Sequence, residues 1–452
     1  MSCLTFKIQV RSQKTNEGRC KNTTYKLNIF KTQERKRMGH FIENQINESI
    51  SREIRLNGFI GIKPEKDHVI SFGKKVIKKL ITITKPNIVI DGSNSTIYVE
   101  VNDDLGVDTT LFYIGNEAKN VCFKNMKIHI FIANPHNTID NFFAIYNTAS
   151  NISFQNCTID VESINQMNLF GIYNHGIVDV DMLNNANNLT VSNCNINVRC
   201  NAKKFQHNCS VYGLYNHLSN SISLQNSVIN TVNVGIGENQ RSIGVYTDGR
   251  FGRFIGNNIK ANSSYTAGKE IEKGASFGFI NHGDYSIITS NNIISEWAGI
   301  AIGIENNAEF AKISSNKILA THTICGRCIR NYKCKNTING NILTSTSRNA
   351  RLIDIQGSNC IITDNYLEVL MPYEICISGC GIYVQANSKN HIIKNNILSN
   401  IKNCGIFALN KTGIIADNLY NSESPLFLAF AKSTNAELEN LLNEKNIKSI
   451  NN

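Results

Sequence analysis

The chain has 452 residues, 41% of them hydrophobic, with five prolines, fourteen cysteines and a formal charge of +11. That is ample material for a core, but no apolar run approaches the ~20 residues needed to cross a bilayer, so no membrane-spanning helix is expected. The charge is uneven: residues 1–85 carry 19 Lys and Arg against 7 Asp and Glu, which leaves the rest near neutral.

Residues 1–35 show mixed alternation with many charges and no clear element. The basic flank, residues 1–85, is either a solvated face or a contact for an anionic surface such as nucleic acid or an acidic glycan. No apolar secretory stretch follows Met1, so the chain is expected to be cytoplasmic as synthesised. Extracellular action would then need export without a signal peptide, or virion release. Between Arg37 and Ile54 the side chains Ile42, Ile46, Ile50 and Ile54 recur every fourth position and predict an amphipathic capping helix. Such a helix would close the open end of a stack of strands, where unpaired backbone groups make a cap expected on physical grounds.

The first convincing coil lies between Ile81 and Val101, three strands broken at Lys85-Pro86 and Gly92-Ser93. From Ala144 to Asn341 two phrases alternate, one of each per roughly 25 to 42 residues, a period that marks a stacked repeat. The first phrase is the rung Gly213-Leu214-Tyr215-Asn216-His217, with counterparts beginning at Ala144, Gly171, Gly244, Gly278, Gly303 and Cys328. The second places an Asn between apolar residues, around Asn125, Asn156, Asn193, Asn226, Asn257, Asn291, Asn316, Asn341, Asn365, Asn395 and Asn418. Residues 151–161 and 189–198 alternate apolar with polar and are β-branched, so the repeats are short strands rather than helices. Longer excursions at about 131–141, 176–187, 200–210, 262–275 and 321–326 are places where loops could wall a groove. Residues 436–445 read as a short closing helix. The domain plan is therefore a basic flank with a capping helix over 1–67, a solenoid over 68–425 and a helical tail over 426–452.

Stacking the rungs in register lets the sequence be read in columns. The second position is apolar throughout and faces inward. The fourth is Asn147, Asn174, Asn216, Thr247, Asn281, Asn306 and Asn331, an asparagine ladder satisfying backbone groups from coil to coil. The outward third column runs Tyr146, Tyr173, Tyr215, Tyr246, Ile280, Glu305 and Arg330, tyrosines that either hold sugar rings or simply suit a strand. The fifth runs Thr148, His175, His217, Asp248, His282, Asn307 and Tyr332 and holds three of the chain's ten histidines.

Two chemistries fit this row. Asp248 could tune His217 or His282 as a general acid or base, with Tyr246, Glu305 or Asp284 as second proton carrier and Arg250 or Arg330 neutralising developing charge. Alternatively His217, Asp248 and His282 could hold a divalent metal. Cys325, Cys328 and Cys334 would suit a zinc or redox site but lack a completing pair, and a packing role is favoured. Cys157 and Cys194, each following the Asn of its coil, read as reduced thiols at equivalent packing positions.

The Ile- and Asn-rich coil pattern resembles the right-handed parallel β-helix of the pectin-lyase-like superfamily, over about residues 68–425. The resemblance implies an all-β solenoid of about 11–12 coils with short helical caps, on the order of 55 Å long at ~4.8 Å per coil. A narrower likeness joins Tyr246-Thr247-Asp248-Gly249, Asn281-His282-Gly283 and Arg330-Asn331-Tyr332-Lys333 to the Asn-Thr-Asp, Gly-His-Gly and Arg-Ile-Lys motifs of polygalacturonases. It implies Asp248 as a catalytic acid, His282 in support, and Arg330 with Lys333 as carboxylate binders. The coil carrying that family's Asp-Asp pair is missing, and only Asp284 or Glu305 could replace it at the ~6.5–9.5 Å that inverting hydrolysis needs.

The expected function is a polysaccharide hydrolase or lyase acting on an extended glycan, with His175, Tyr173, Tyr215, Tyr246, Arg250, Arg330 and Lys333 binding substrate. The rival is a non-catalytic structural or binding body of the phage-spike kind. A tailspike likeness implies a homotrimer.

Overall fold

The computed structural model describes residues 5–11, 24–28, 38–48, 53–62, 69–72, 75–101, 108–133, 141–164, 167–176, 187–202, 209–235, 240–265, 274–296, 299–321, 323–370, 378–385, 387–401, 404–408, 413–421 and 448–449. The chain divides into two compact units, Met1–Ile236 and Gly237–Asn452.

Each unit is built from one repeated coil of three strands. A seven- to eight-residue strand forms the front wall, as in Asn141–Asn147, Asn168–His175 and Ser210–His217 of the first unit. A three-residue strand forms the side wall, as in Ser153–Gln155 and Thr190–Ser192. A third strand forms the back wall, as in Thr158–Ser163 and Asn195–Ala202. Every wall pairs in parallel with the same wall of the next coil, front to front, side to side and back to back. The second unit repeats the pattern with Arg241–Thr247, Ala275–Asn281, Ile300–Asn306, Cys325–Asn331 and Asn349–Ile355 as front strands. Both units are right-handed parallel β-helix, the hand that nearly all parallel crossovers take because strand twist favours it. The described front strands from Lys75–Ile83 to Cys404–Ala408 supply twelve coils.

The core is the inside of the coil. On the front wall Ile145, Ile172 and Leu214 stack in register and are fully buried; Ile196 and Ile229 do the same on the back wall. Room inside is tight where front and back walls meet. A Cβ on Gly171 would lie 2.6 Å from both Gly213 O and Ile196 Cγ2, so the rung's small first position is a packing requirement.

Two sets of asparagines hold the coils together. On the front wall Asn147 donates to Asn174 and Asn174 to Asn216, each at 2.6 Å; Asn281 donates to Asn306 and Asn306 to Asn331, each at 2.7 Å. At the side-to-back turn of the second unit a second buried ladder runs Asn257, Asn291, Asn316, Asn341, Asn365, Asn396 and Asn418. The second phrase of the sequence thus merges two positions. Asn125, Asn156, Asn193 and Asn226 sit one place earlier, on left-handed backbone at φ 48–54°, where asparagine is tolerated best after glycine. Asn395 is also such a turn residue, and its neighbour Asn396 takes the ladder place. Cys157 and Cys194 fill the inward place in the first unit and are buried.

The capping helix is shorter than its periodicity predicts. It spans Met38–Glu48, burying Ile42 and Ile46, whereas Ile54 belongs to the strand Glu53–Ile62 and Ile50 lies outside the described residues. Asn47 joins the helix to the first front strand, donating to Thr82 O at 2.8 Å and accepting from Thr84 N at 2.9 Å. The supposedly featureless start contains two strands. Thr5–Arg11 pairs antiparallel with Thr24–Asn28 and with Glu53–Ile62, so a hairpin closes the wall edge that begins the stack. Parallel pairing starts at Glu53–Ile62 against Val89–Val101, ahead of residue 68. The expected closing helix at 436–445 lies outside the described residues, as do most of the expected excursions.

Candidate functional site

The predicted columns exist within each unit. In the first, Tyr146 pairs with Tyr173 and Tyr173 with Tyr215, while His175 lies beside His217. Alternation turns these side chains outward, and the rings then stack on one another at the coil repeat. Tyr146, Tyr173 and Tyr215 follow at 4.9 and 5.1 Å between centroids, and His175 stacks on His217 at 5.3 Å. A parallel column of Phe143, Phe170 and Tyr212 meets the tyrosines edge to face. Ring faces so engaged are covered by other rings, leaving mainly edges for a ligand.

The second unit carries charge on the same wall. Register places Tyr246, Ile280, Glu305, Arg330, Asp354 and Tyr383 in one outward column. Glu305 Oε2 lies 3.8 Å from Arg330 Nη1, and their side chains are only 16% and 27% exposed. Burial raises the Glu305 pKa above the ordinary carboxyl value; Arg330, Arg241 and Arg327 pull it partly back. The Arg330 guanidinium lies over the Tyr332 ring at 4.5 Å, and its Nε, shielded from solvent, has no hydrogen-bond partner among the described residues. Next along, Asp354 is fully buried and binds Arg327 at 3.1 Å and Arg351 at 3.5 Å, with Arg351 lying over Tyr383.

His282 sits one coil from Glu305, since the preceding Asn281 pairs with Asn306. Its ring lies 5.4 Å from Tyr246. Partial burial lowers the His282 pKa, Asp248 working the other way, so the imidazole is neutral near pH 7. Tyr246, Asp248, His282, Glu305, Arg330 and Tyr332 therefore share one wall of the second unit, each on the strand or turn its rung position implies.

Other predicted residues serve elsewhere. Asp284 turns to the following corner, where Oδ1 accepts the Glu309 N–H at 2.9 Å and Oδ2 faces Arg250 Nε at 3.7 Å. At that corner Phe251, Tyr285 and Phe310 stack at 5.4 and 4.9 Å on left-handed backbone. Lys333 is exposed on a turn and its carbonyl accepts from Asn331 and Asn336. Cys328 is buried and its thiol pushed up to about 12, which fits packing rather than metal or redox work. Among the described residues no three His, Cys, Asp or Glu side chains gather as ligands would around a metal.

Arg241, Arg327, Arg351 and Asp354 escaped the sequence reading. Arg327 and Arg351 occupy a second outward column, after Ile302 and before Cys380, and Asp354 simply continues the third beyond Arg330. Extending the third column past the seventh rung finds Asp354, and reading the column three places before it finds Arg327 and Arg351, whereas Arg241 lies in neither.

No family model and no curated protein matches the sequence. Among solved structures the chain is similar to the A-module of the Azotobacter vinelandii mannuronan C-5 epimerase AlgE6, at 10% identity over 81% of this chain and 92% of that one, TM-score 0.49. It is also similar to the Dettilon tailspike protein, at 14% identity over 80% and 62%, TM-score 0.47. The periplasmic alginate epimerase AlgG follows at 11% identity over 89% and 78%, TM-score 0.32. At this level of likeness the activities of those proteins do not pass to this chain. No described helix is long and apolar enough to cross a membrane.

Proposed function

We propose that the protein is carbohydrate-active and works on an extended acidic polysaccharide lying over the front wall of the second unit. The observation that carries this reading is the arginine-rich wall around one half-buried carboxyl. Arg241, Arg327 and Arg330 all act on Glu305, whose own pKa is nevertheless raised by burial. A uronate carboxylate would give the solvent-shielded Arg330 Nε the acceptor it lacks.

The chemistry that suits these groups is β-elimination. A neutral His282 takes the proton α to the sugar carboxylate, arginine neutralises the enolate that forms, and Glu305, whose burial favours the acid form, gives a proton to the departing glycosidic oxygen. Both electrons of the C–O bond leave with that oxygen, and a double bond remains in the sugar ring. Hydrolysis by paired carboxyls is less well supported, because Asp284 is engaged at the turn. The basic stretch 1–85 is proposed separately as a contact for an anionic surface, and the assembly as a homotrimer.

The test is a panel of polyuronates scored for an ultraviolet-absorbing unsaturated product. Product lost in Glu305→Gln and His282→Ala supports the enzyme. A second reading, a non-catalytic binding wall, is favoured by one observation: Arg327 and Arg351 are already committed to the buried Asp354. Polyuronate binding without product, weakened by Arg330→Ala, would select it. Neither product nor binding would reject both.

A further inference from the structure

The back wall of the first unit carries a concavity of about 620 Å³ that no motif in the sequence announces, within the range of small-ligand sites. Register builds it. Tyr98, His129, Asp160, Asn197 and Asn230 fall on successive coils in one outward column. A second column two residues on carries Phe131, Glu162, Arg199 and Val232. Five coils at ~4.8 Å make the first column roughly 19 Å long.

The first column is already organised. Asp160 Oδ2 lies 2.9 Å from His129 Nδ1, and Oδ1 accepts from Asn197 Nδ2 at 2.6 Å. A carboxylate so placed fixes the histidine tautomer with its proton on Nδ1, leaving Nε2 as an acceptor in the neutral ring. At the end of the column Asn230 Oδ1 is shut off from solvent and has no hydrogen-bond partner among the described residues. Glu162 adds an acceptor, Arg199 a donor, and Tyr98 and Phe131 apolar ring surface.

We infer that this groove is a binding site for a neutral oligosaccharide. Hydroxyl groups both donate and accept, which is what a wall mixing carboxylate, imidazole, amide and guanidinium can satisfy, while the aromatic rings take the apolar face of a sugar. Charge decides against an acidic chain: Asp160 and Glu162 outweigh Arg199, the reverse of the arginine-rich wall in the second unit. The length of the column suits several linked sugars rather than one. This site is independent of the polyuronate reading.

The full chain is tested on an immobilised panel of neutral and uronate-containing oligosaccharides. At least one neutral glycan is retained, and its affinity falls tenfold or more both in Asp160→Ala, which frees His129 and Asn197, and in the double variant Phe131→Ala with Glu162→Ala. Unfolding midpoints of the variants stay at the parent value, and Arg330→Ala leaves this binding unchanged. Retention of no neutral glycan, parent-level retention by either back-wall variant, or loss in Arg330→Ala overturns the inference. Loss of polyuronate product with neutral binding kept would fault only the other site.

Discussion

Replacing Asn316 by alanine removes four hydrogen bonds from the interior of the second unit. The Asn316 side chain donates to Ile288 O at 2.9 Å and to Asn341 Oδ1 at 3.0 Å. Its Oδ1 accepts from both the backbone N–H and the side-chain amide of Asn291, each at 3.0 Å. The Asn291 N–H has a single proton and loses its acceptor outright, in a place where both asparagines are buried. An orphaned buried donor costs about 1–3 kcal/mol. The other amide groups each drop one partner, and a small void remains, so the sum is about 3 kcal/mol. The surface control is Asn151→Ala, which breaks two exposed bonds, one to Asn120 and one from Asn188, on left-handed backbone at φ 57°, and should cost about 1 kcal/mol. The assay is the urea midpoint at unchanged slope, joined to hydrogen exchange at the Asn291 amide. If Asn316→Ala costs no more than Asn151→Ala, or Asn291 exchanges as slowly as before, the ladder is not what binds the coils.

Gly278→Ala should cost about 2 kcal/mol, because the added methyl would meet Gly303 O at 2.8 Å and the Ile293 side chain; an unchanged melting temperature would show that the walls can separate there. His391 is buried, accepts the Cys360 N–H through Nδ1, and has its pKa lowered to about 4 by burial. Because the unfolded chain binds this proton more readily, stability is full above pH ~6.5 and falls as pH drops toward 4, by about 3 kcal/mol. His391→Gln should flatten that segment of the pH–stability curve, and a curve identical to the parent's would refute the assignment. Should Glu305 be the acid, Glu305→Gln will abolish polyuronate product while leaving binding within about threefold; Arg330→Ala, by contrast, should weaken binding itself.

Much of the architecture was readable in the residues because a solenoid repeats its own instructions. Tyr173 over Tyr215, His175 over His217 and Asn281 over Asn306 are register pairs that the columns predict, since strand alternation and a constant coil leave no other stacking. Local failures came where neighbouring positions carry the same residue type. Asn395 and Asn396 look interchangeable in the chain, yet one takes left-handed backbone at the turn and the other enters the core ladder. The every-fourth pattern of Ile42, Ile46, Ile50 and Ile54 likewise suited one long helix, but Ile54 was claimed by a strand that pairs it with Val10 on one side and Ile90 on the other.

What the amino-acid order determined by itself was the coil, its inward columns and the outward neighbours along each wall, because those follow from a period of two along the strand and one repeat per coil. Tertiary structure alone decided the surroundings in which each outward group is held. Burial raised Glu305 and left Arg330 Nε without a partner among the described residues, a backbone N–H one coil away drew Asp284 aside, and the back wall of the first unit formed a hollow lined by His129 and Asp160. Each depends on solvent exclusion and on the shape of a wall, and neither quantity is written in the spacing of residues along the chain.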